Sequence, residues 1–133
     1  MPGINSRSKG RRGEREVVNL IHSLTGIKLN LNYAQTYGGG ADILECPGFA
    51  IEIKRYSRYT QADVRRWWKQ AVEQADAVNL LPCLFHRADR GDWLVTIPHD
   101  KSLSDKIFAI DDFRIAISMS SELFCAILRE YYV

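Results

Sequence analysis

The chain has 133 residues, 46% hydrophobic and 26% charged, with a net charge of +2. That length supports one core and not two. No apolar run approaches the roughly 20 residues a helix needs to span a bilayer, and no apolar stretch of the signal-peptide kind follows the polar N-terminus. The expectation is a cytoplasmic protein with no membrane partner.

Net charge is nearly balanced, but its distribution is uneven. Arg7, Lys9, Arg11, Arg12 and Arg15 crowd the N-terminus, and Lys54, Arg55, Arg58, Arg65, Arg66 and Lys69 crowd the middle. Asp89, Asp92, Asp100, Asp105, Asp111 and Asp112 fall toward the C-terminus. A basic face on such a chain suits a polyanion, although solvated surface gives the same pattern. Cys46, Cys83 and Cys125 lack paired spacing, and His22, His86 and His99 lack zinc-site spacing, which argues against a structural zinc. Cys83 and Cys125 sit in apolar stretches and read as core.

In chain order, residues 1–12 read as a flexible basic arm, and residues 13–133 as a single domain. Residues 13–25 carry helical periodicity through Val17, Leu20, Ile21 and Leu24, with Gly26 ending the helix. Residues 27–36 read as a strand or extended segment, before the run Tyr37-Gly38-Gly39-Gly40. Two apolar stretches, 41–46 and 49–55, flank Pro47-Gly48 and predict a β-hairpin. A helix follows from Thr60 or Gln61 to about Val78, with the stripe Val64, Trp67, Trp68, Ala71, Ala75 and Val78. At that spacing both tryptophans read as core, with one of them a candidate for a dimer interface. Residues 80–86 and 93–97 predict two strands, 113–118 a short strand, and 121–131 a closing helix capped by Ser120 or Ser121. This order predicts an α/β fold, a central mixed β-sheet flanked by helices.

The hairpin carries the chemistry. With Cys46-Pro47-Gly48 as its loop, Glu45 pairs with Phe49 and Asp42 with Glu52. Side chains alternate along a strand, so Asp42, Glu52 and Lys54 share one face while Ile43, Ile51 and Ile53 take the other. A loop one residue shorter or longer would separate the carboxylates. Facing carboxylates repel each other unless something cationic sits between them. Hard oxygen ligands suit Mg²⁺, with Mn²⁺ a substitute, and such an ion keeps waters and bridges to phosphate. Lys54 could then orient or deprotonate a water, or neutralise charge on the phosphorane. Glu14 lies close to the Val17, Val18 and Ile21 stripe of the first helix, on the side facing the sheet, whereas Glu16 points away. Buried alone it would be costly, which makes it a candidate third ligand; the helix dipole offers a plainer reason for a first-turn Glu. The glycines before Asp42 would let a phosphate approach the site, as would any flexible loop.

Gly13-Glu14-Arg15-Glu16, Gly40-Ala41-Asp42 and Ile51-Glu52-Ile53-Lys54 together resemble the motifs of the PD-(D/E)XK nuclease superfamily, over residues 9 to 97. Within it the chain is most similar to the small archaeal and phage Holliday junction resolvases. The resemblance implies a restriction-endonuclease-like core, Glu14, Asp42 and Glu52 as metal ligands and Lys54 as the catalytic lysine. It implies a homodimer cutting four-way or other branched DNA in a bacterial, archaeal or phage-infected cell. Lys9, Arg11, Arg12, Arg15, Arg55 and Arg58 are the expected DNA contacts. Ala41 stands where the superfamily pattern has Pro, and residues 113–133 match no motif. Gln70 and Gln74 invite comparison with a glutamine of other branches, but they lie off the apolar stripe and read as solvated. A nickase, a restriction-like nuclease or a non-catalytic DNA-binding module are the alternatives. Base reading needs elements this compact chain has little room for, and a pure phosphate binder gains nothing from Asp42 and Glu52 amid basic surface.

Overall fold

The computed structural model describes residues 2–32, 40–99 and 112–133, with side chains from residue 10 onward in the first helix. Helix α1 spans Pro2–Thr25, strand β1 Phe49–Tyr56, helix α2 Gln61–Ala77, strand β2 Leu81–Ala88 and strand β3 Leu94–Pro98. A single 3₁₀ turn, Phe113–Ile115, leads into strand β4, Ala116–Ser120, and helix α3, Ser121–Tyr131. The sheet is four-stranded in the order β1-β2-β3-β4. β1 and β2 are parallel, joined through α2, and the other two pairings are antiparallel. The chain thus has a mixed α/β sheet flanked by helices.

Caps and stripes place the helices. Thr60 caps α2, its side chain accepting from the Asp63 N–H while the Asp63 carboxylate accepts from the Thr60 N–H. The α2 stripe buries Val64, Trp67, Trp68, Ala71, Val72 and Ala75. Both tryptophans are in the core. Ser120 caps α3, which buries Phe124, Cys125 and Leu128. Helix α1 begins at Pro2 and not at Gly13. The Gly and Ser of this stretch have weak helix propensity, but extending an existing helix costs far less than nucleating one.

The two sheet faces have different cores. Phe49, Ile51 and Ile53 of β1 meet Val17 and Ile21 of α1 in a cluster that includes Phe85, Val95, Phe124 and Leu128. On the other face α2 covers Leu84 with its tryptophans, and Ala75 meets Ala41 and Ala50. Alternation along β1 therefore sends odd-numbered side chains toward α1 and even-numbered ones toward α2. Cys46, Cys83 and Cys125 are free and buried. Among the described residues no helix is long and apolar enough to cross a membrane.

The predicted hairpin is only partly a hairpin. Residues 41–46 form no strand; they meet β1 through one isolated antiparallel bridge, Ile43 to Ile51. Its register is the expected one, since pairing Ile43 with Ile51 sets Asp42 opposite Glu52. Gly48 makes the turn at φ +81, where a Cβ would also meet the Tyr132 ring at 2.6 Å. Of the extended segment predicted before it, residues 27–32 lie in no regular element, and 33–36 fall outside the described residues, as do Tyr37, Gly38 and Gly39.

Candidate active site

The bridge ends where the site begins. A continuing antiparallel ladder would give the Ile53 N–H to the carbonyl of Ala41. Instead, Ile53 N–H donates to Asp42 Oδ2 at 2.8 Å, and the Ala41 carbonyl accepts from Asn32 Nδ2 at 3.0 Å. The Asn32 N–H donates to the Asp42 carbonyl at 2.7 Å. Asp42 thus spends one carboxylate oxygen on the strand edge, which fixes the side chain and terminates the pairing.

Asp42 and Glu52 are 7% and 5% exposed, and their carboxyl groups are close enough for the charge of one to act on the other. Burial, then the charge of Asp42, pushes the Glu52 carboxyl up to about 8, with Lys54 pulling the other way. Lys54 Nζ lies 3.6 Å from Glu52 Oε1. The other oxygen, Glu52 Oε2, is buried and makes no hydrogen bond. An unpaired carboxylate oxygen beside a second buried carboxylate is a donor set suited to a hard divalent cation.

Glu14 approaches from elsewhere. Helix α1 packs on the Ile51 and Ile53 face of β1, and from it the Glu14 carboxyl is close enough to feel the charge of Asp42. Burial and the charge of Asp42 raise its carboxyl above the usual range, and Arg11, one turn earlier, lowers it. Among the described residues no group of three or more His, Cys, Asp or Glu side chains could by itself hold a metal ion. Two carboxylates with waters and phosphate are a common Mg²⁺ arrangement.

Glu16, expected to point away, instead ties α1 to the sheet. Its carboxylate accepts from Arg87 at 2.7 Å and Trp93 Nε1 at 2.9 Å, and lies 3.2 Å from Arg55. Helix and strand come close here because Gly13 faces β1, where a Cβ would sit 3.0 Å from Arg55 Cβ. Arg55 is therefore half-buried and paired with Glu16 and Asp89, on the face away from Lys54. Arg11, Arg12, Arg15 and Arg58 are exposed, and the Lys9 side chain lies outside the described residues. Gln70 and Gln74 are half-buried, and Gln74 Oε1 is buried with no hydrogen-bond partner, contrary to a solvated reading.

A polar chain lies beside Lys54 that no motif in the sequence marks. His86 pairs with Lys54 in the β1–β2 register. Its Nδ1 lies 2.7 Å from the Tyr59 hydroxyl and its Nε2 3.3 Å from Thr96 Oγ1, which is 2.7 Å from Ser118 Oγ. The only hint was a histidine at the polar parity of an apolar strand. Burial lowers the His86 imidazole to about 4 from its ordinary 6.5. The unfolded chain therefore binds the extra proton first, and this contribution to stability is lost as pH falls from 6.5 toward 4. Its full size is on the order of 3 kcal/mol. Denaturant titrations of wild type and His86→Gln at several pH values should show the acid-side slope shallower in the variant; equal slopes would mean that His86 does not titrate on unfolding.

A mixed sheet flanked by helices, with two buried carboxylates and a lysine converging on its edge strand, has the layout of a restriction-endonuclease-like core. Residues 5–124 match the family described as "Phage putative PDDEXK endonuclease", and the chain belongs to that family, within the PD-(D/E)XK nucleases. Among its relatives, Protein D14 of Escherichia phage T5 is 24% identical over 126 residues, covering 80% of this chain and 79% of that protein. No solved structure gives a significant match.

Proposed function

We propose that the chain is a divalent-metal-dependent, structure-selective DNA endonuclease that acts as a homodimer on branched DNA, four-way junctions foremost, in the cytoplasm of the phage-infected cell. The observation that carries the hydrolytic reading is the buried Asp42–Glu52 pair with its unpartnered Glu52 oxygen beside Lys54. Asp42 and Glu52 would hold Mg²⁺ or Mn²⁺, with Glu14 reaching it directly or through water. The ion, when bound, supplies positive charge at the scissile phosphate and a more acidic water. Asp42, braced on the Ile53 N–H, keeps its remaining oxygen in place without reorganisation. Lys54 orients or deprotonates the attacking water, or neutralises charge on the phosphorane.

The basic segment 1–12 and the exposed Arg15 and Arg58 would contact phosphates, with Lys9, Arg11 and Arg12 nearest the site in sequence. Arg55 is left out of that set because its guanidinium is committed to Glu16. The likeness of the Gly13-to-Glu16 and Ile51-to-Lys54 motifs to Holliday junction resolvases supports branched DNA as substrate. The test is cleavage of matched four-way junction, flap, nicked and linear DNA in Mg²⁺. Junction cutting well above linear cutting is expected; equal rates would replace this reading with a restriction-like or nicking enzyme.

A further inference from the structure

Tyr56 is the one side chain on the site's own strand that is both aromatic and exposed. It follows Lys54 by two residues, so it lies on the same face as Glu52 and Lys54, roughly 7 Å further along β1. Its neighbour Arg55 turns to the opposite face, toward Glu16, which fixes the alternation at this end of the strand. Tyr56 is 40% exposed. It stacks almost parallel on Trp67, with centroids 5.1 Å apart and 14° between planes.

Trp67 is itself immobilised. It is 6% exposed, and the Tyr59 ring meets it edge-on at 5.1 Å. Tyr59 is pinned in turn by the bond between its hydroxyl and His86 Nδ1, at 2.7 Å. A single exposed aromatic is ordinary on a protein surface. This one is backed by the buried Trp67 ring and, edge-on behind it, by Tyr59, and it follows Glu52 and Lys54 along one strand face, with the exposed Arg58 two residues beyond. A rigid, preordered ring loses little entropy when a flat partner covers it. Nucleic acid brings such partners, and stacking accepts any base because every base has a π-face.

We infer that Tyr56 is a stacking platform for the unpaired base of a nucleotide flanking the phosphate held at Asp42, Glu52 and Lys54. The occupant is a base already out of its duplex stack, as at a branch point, a frayed end or a single strand. Linear duplex would have to unstack a base to reach the ring, which gives the proposed function a structural origin for discriminating against it. The inference rests on that reading for the position of the scissile phosphate, but the stacking can be tested without cleavage.

The experiment measures binding in EDTA to a branched oligonucleotide and to the same DNA made abasic at one position at a time. Wild type, Tyr56→Phe, Tyr56→Trp, Tyr56→Leu and Tyr56→Ala are compared. The Ala and Leu variants should bind about 5- to 100-fold more weakly, with Phe and Trp close to wild type. Tyr56→Leu keeps an apolar contact on Trp67, so its loss cannot be assigned to unfolding if it melts like wild type. One abasic position should weaken wild type by a similar factor and weaken Tyr56→Leu no further. Independent losses at every position, or unaltered binding by Tyr56→Leu, would overturn the platform. Coupled losses in a protein that cuts no branched DNA would leave the platform standing and remove the function proposed above.

Discussion

Glu52→Gln is expected to lose cleavage by at least about 100-fold and yet to melt at a higher temperature than wild type in EDTA. The active-site pair costs stability when nothing cationic lies between its members. Glu52 is buried against Asp42 and has its carboxyl pushed up to about 8 from 4.5. A carboxyl raised in the folded state contributes stability only while it can keep its proton. That contribution is whole below 4.5 and is lost as pH rises through about 8. Gln keeps the shape and carries no charge, so the variant should gain about 1–3 kcal/mol above that range. For a chain of this size that corresponds to about 5–10 °C in Tm. Scanning calorimetry at several pH values checks both the size and the direction, since the gain should shrink toward acid. A variant no more stable than wild type at alkaline pH would mean that the buried pair is compensated by something other than a metal.

The second large effect is metal stabilisation with a pH dependence set by the same carboxyl. Mg²⁺ or Mn²⁺ should raise the Tm of wild type, because an ion that binds only the folded chain stabilises it by mass action. At a hundredfold excess over Kd the gain is about 2.7 kcal/mol, or about 10 °C here. Glu52 must give up its proton to bind the ion, so the upshift should be large above its raised value of about 8 and shrink toward 4.5. Glu52→Gln and Asp42→Asn should lose most of it. Glu14→Gln should lose less, since Glu14 is only half-buried and interacts with Asp42 from helix α1. An upshift of the same size at acid and alkaline pH, or one that survives in Glu52→Gln, would place the ion elsewhere on the protein.

Both effects trace to how the hairpin stops. The pairing of Asp42 with Glu52 is legible in the sequence through parity alone, because a three-residue loop sets that register and any neighbouring length destroys it. The replacement of a backbone carbonyl by Asp42 at the Ile53 N–H is not legible there. That substitution depends on Asn32, ten residues upstream, taking the Ala41 carbonyl. Glu16 was misplaced for a related reason. A helical wheel ranks positions by the width of one apolar stripe, whereas Arg87 of β2 and Trp93, just before β3, arrive from far along the chain and extend the contact beyond it.

What the sequence by itself determined is local: the α2 and α3 boundaries through Thr60 and Ser120, the Gly48 turn, the register that sets Asp42 opposite Glu52, the common face of Glu52 and Lys54 on β1, and the buried tryptophans. Each follows from a period or a cap spanning a few residues. Tertiary structure alone decided that α1 packs on the Ile51 and Ile53 face of β1, which brings Glu14 toward Asp42. It also decided that Arg55 serves Glu16, and that His86 joins Tyr59 to Thr96 beside the lysine. These depend on which strands become neighbours. Strand order is set by burying the two apolar faces of one sheet at once, a condition on the whole chain that no short window of it contains.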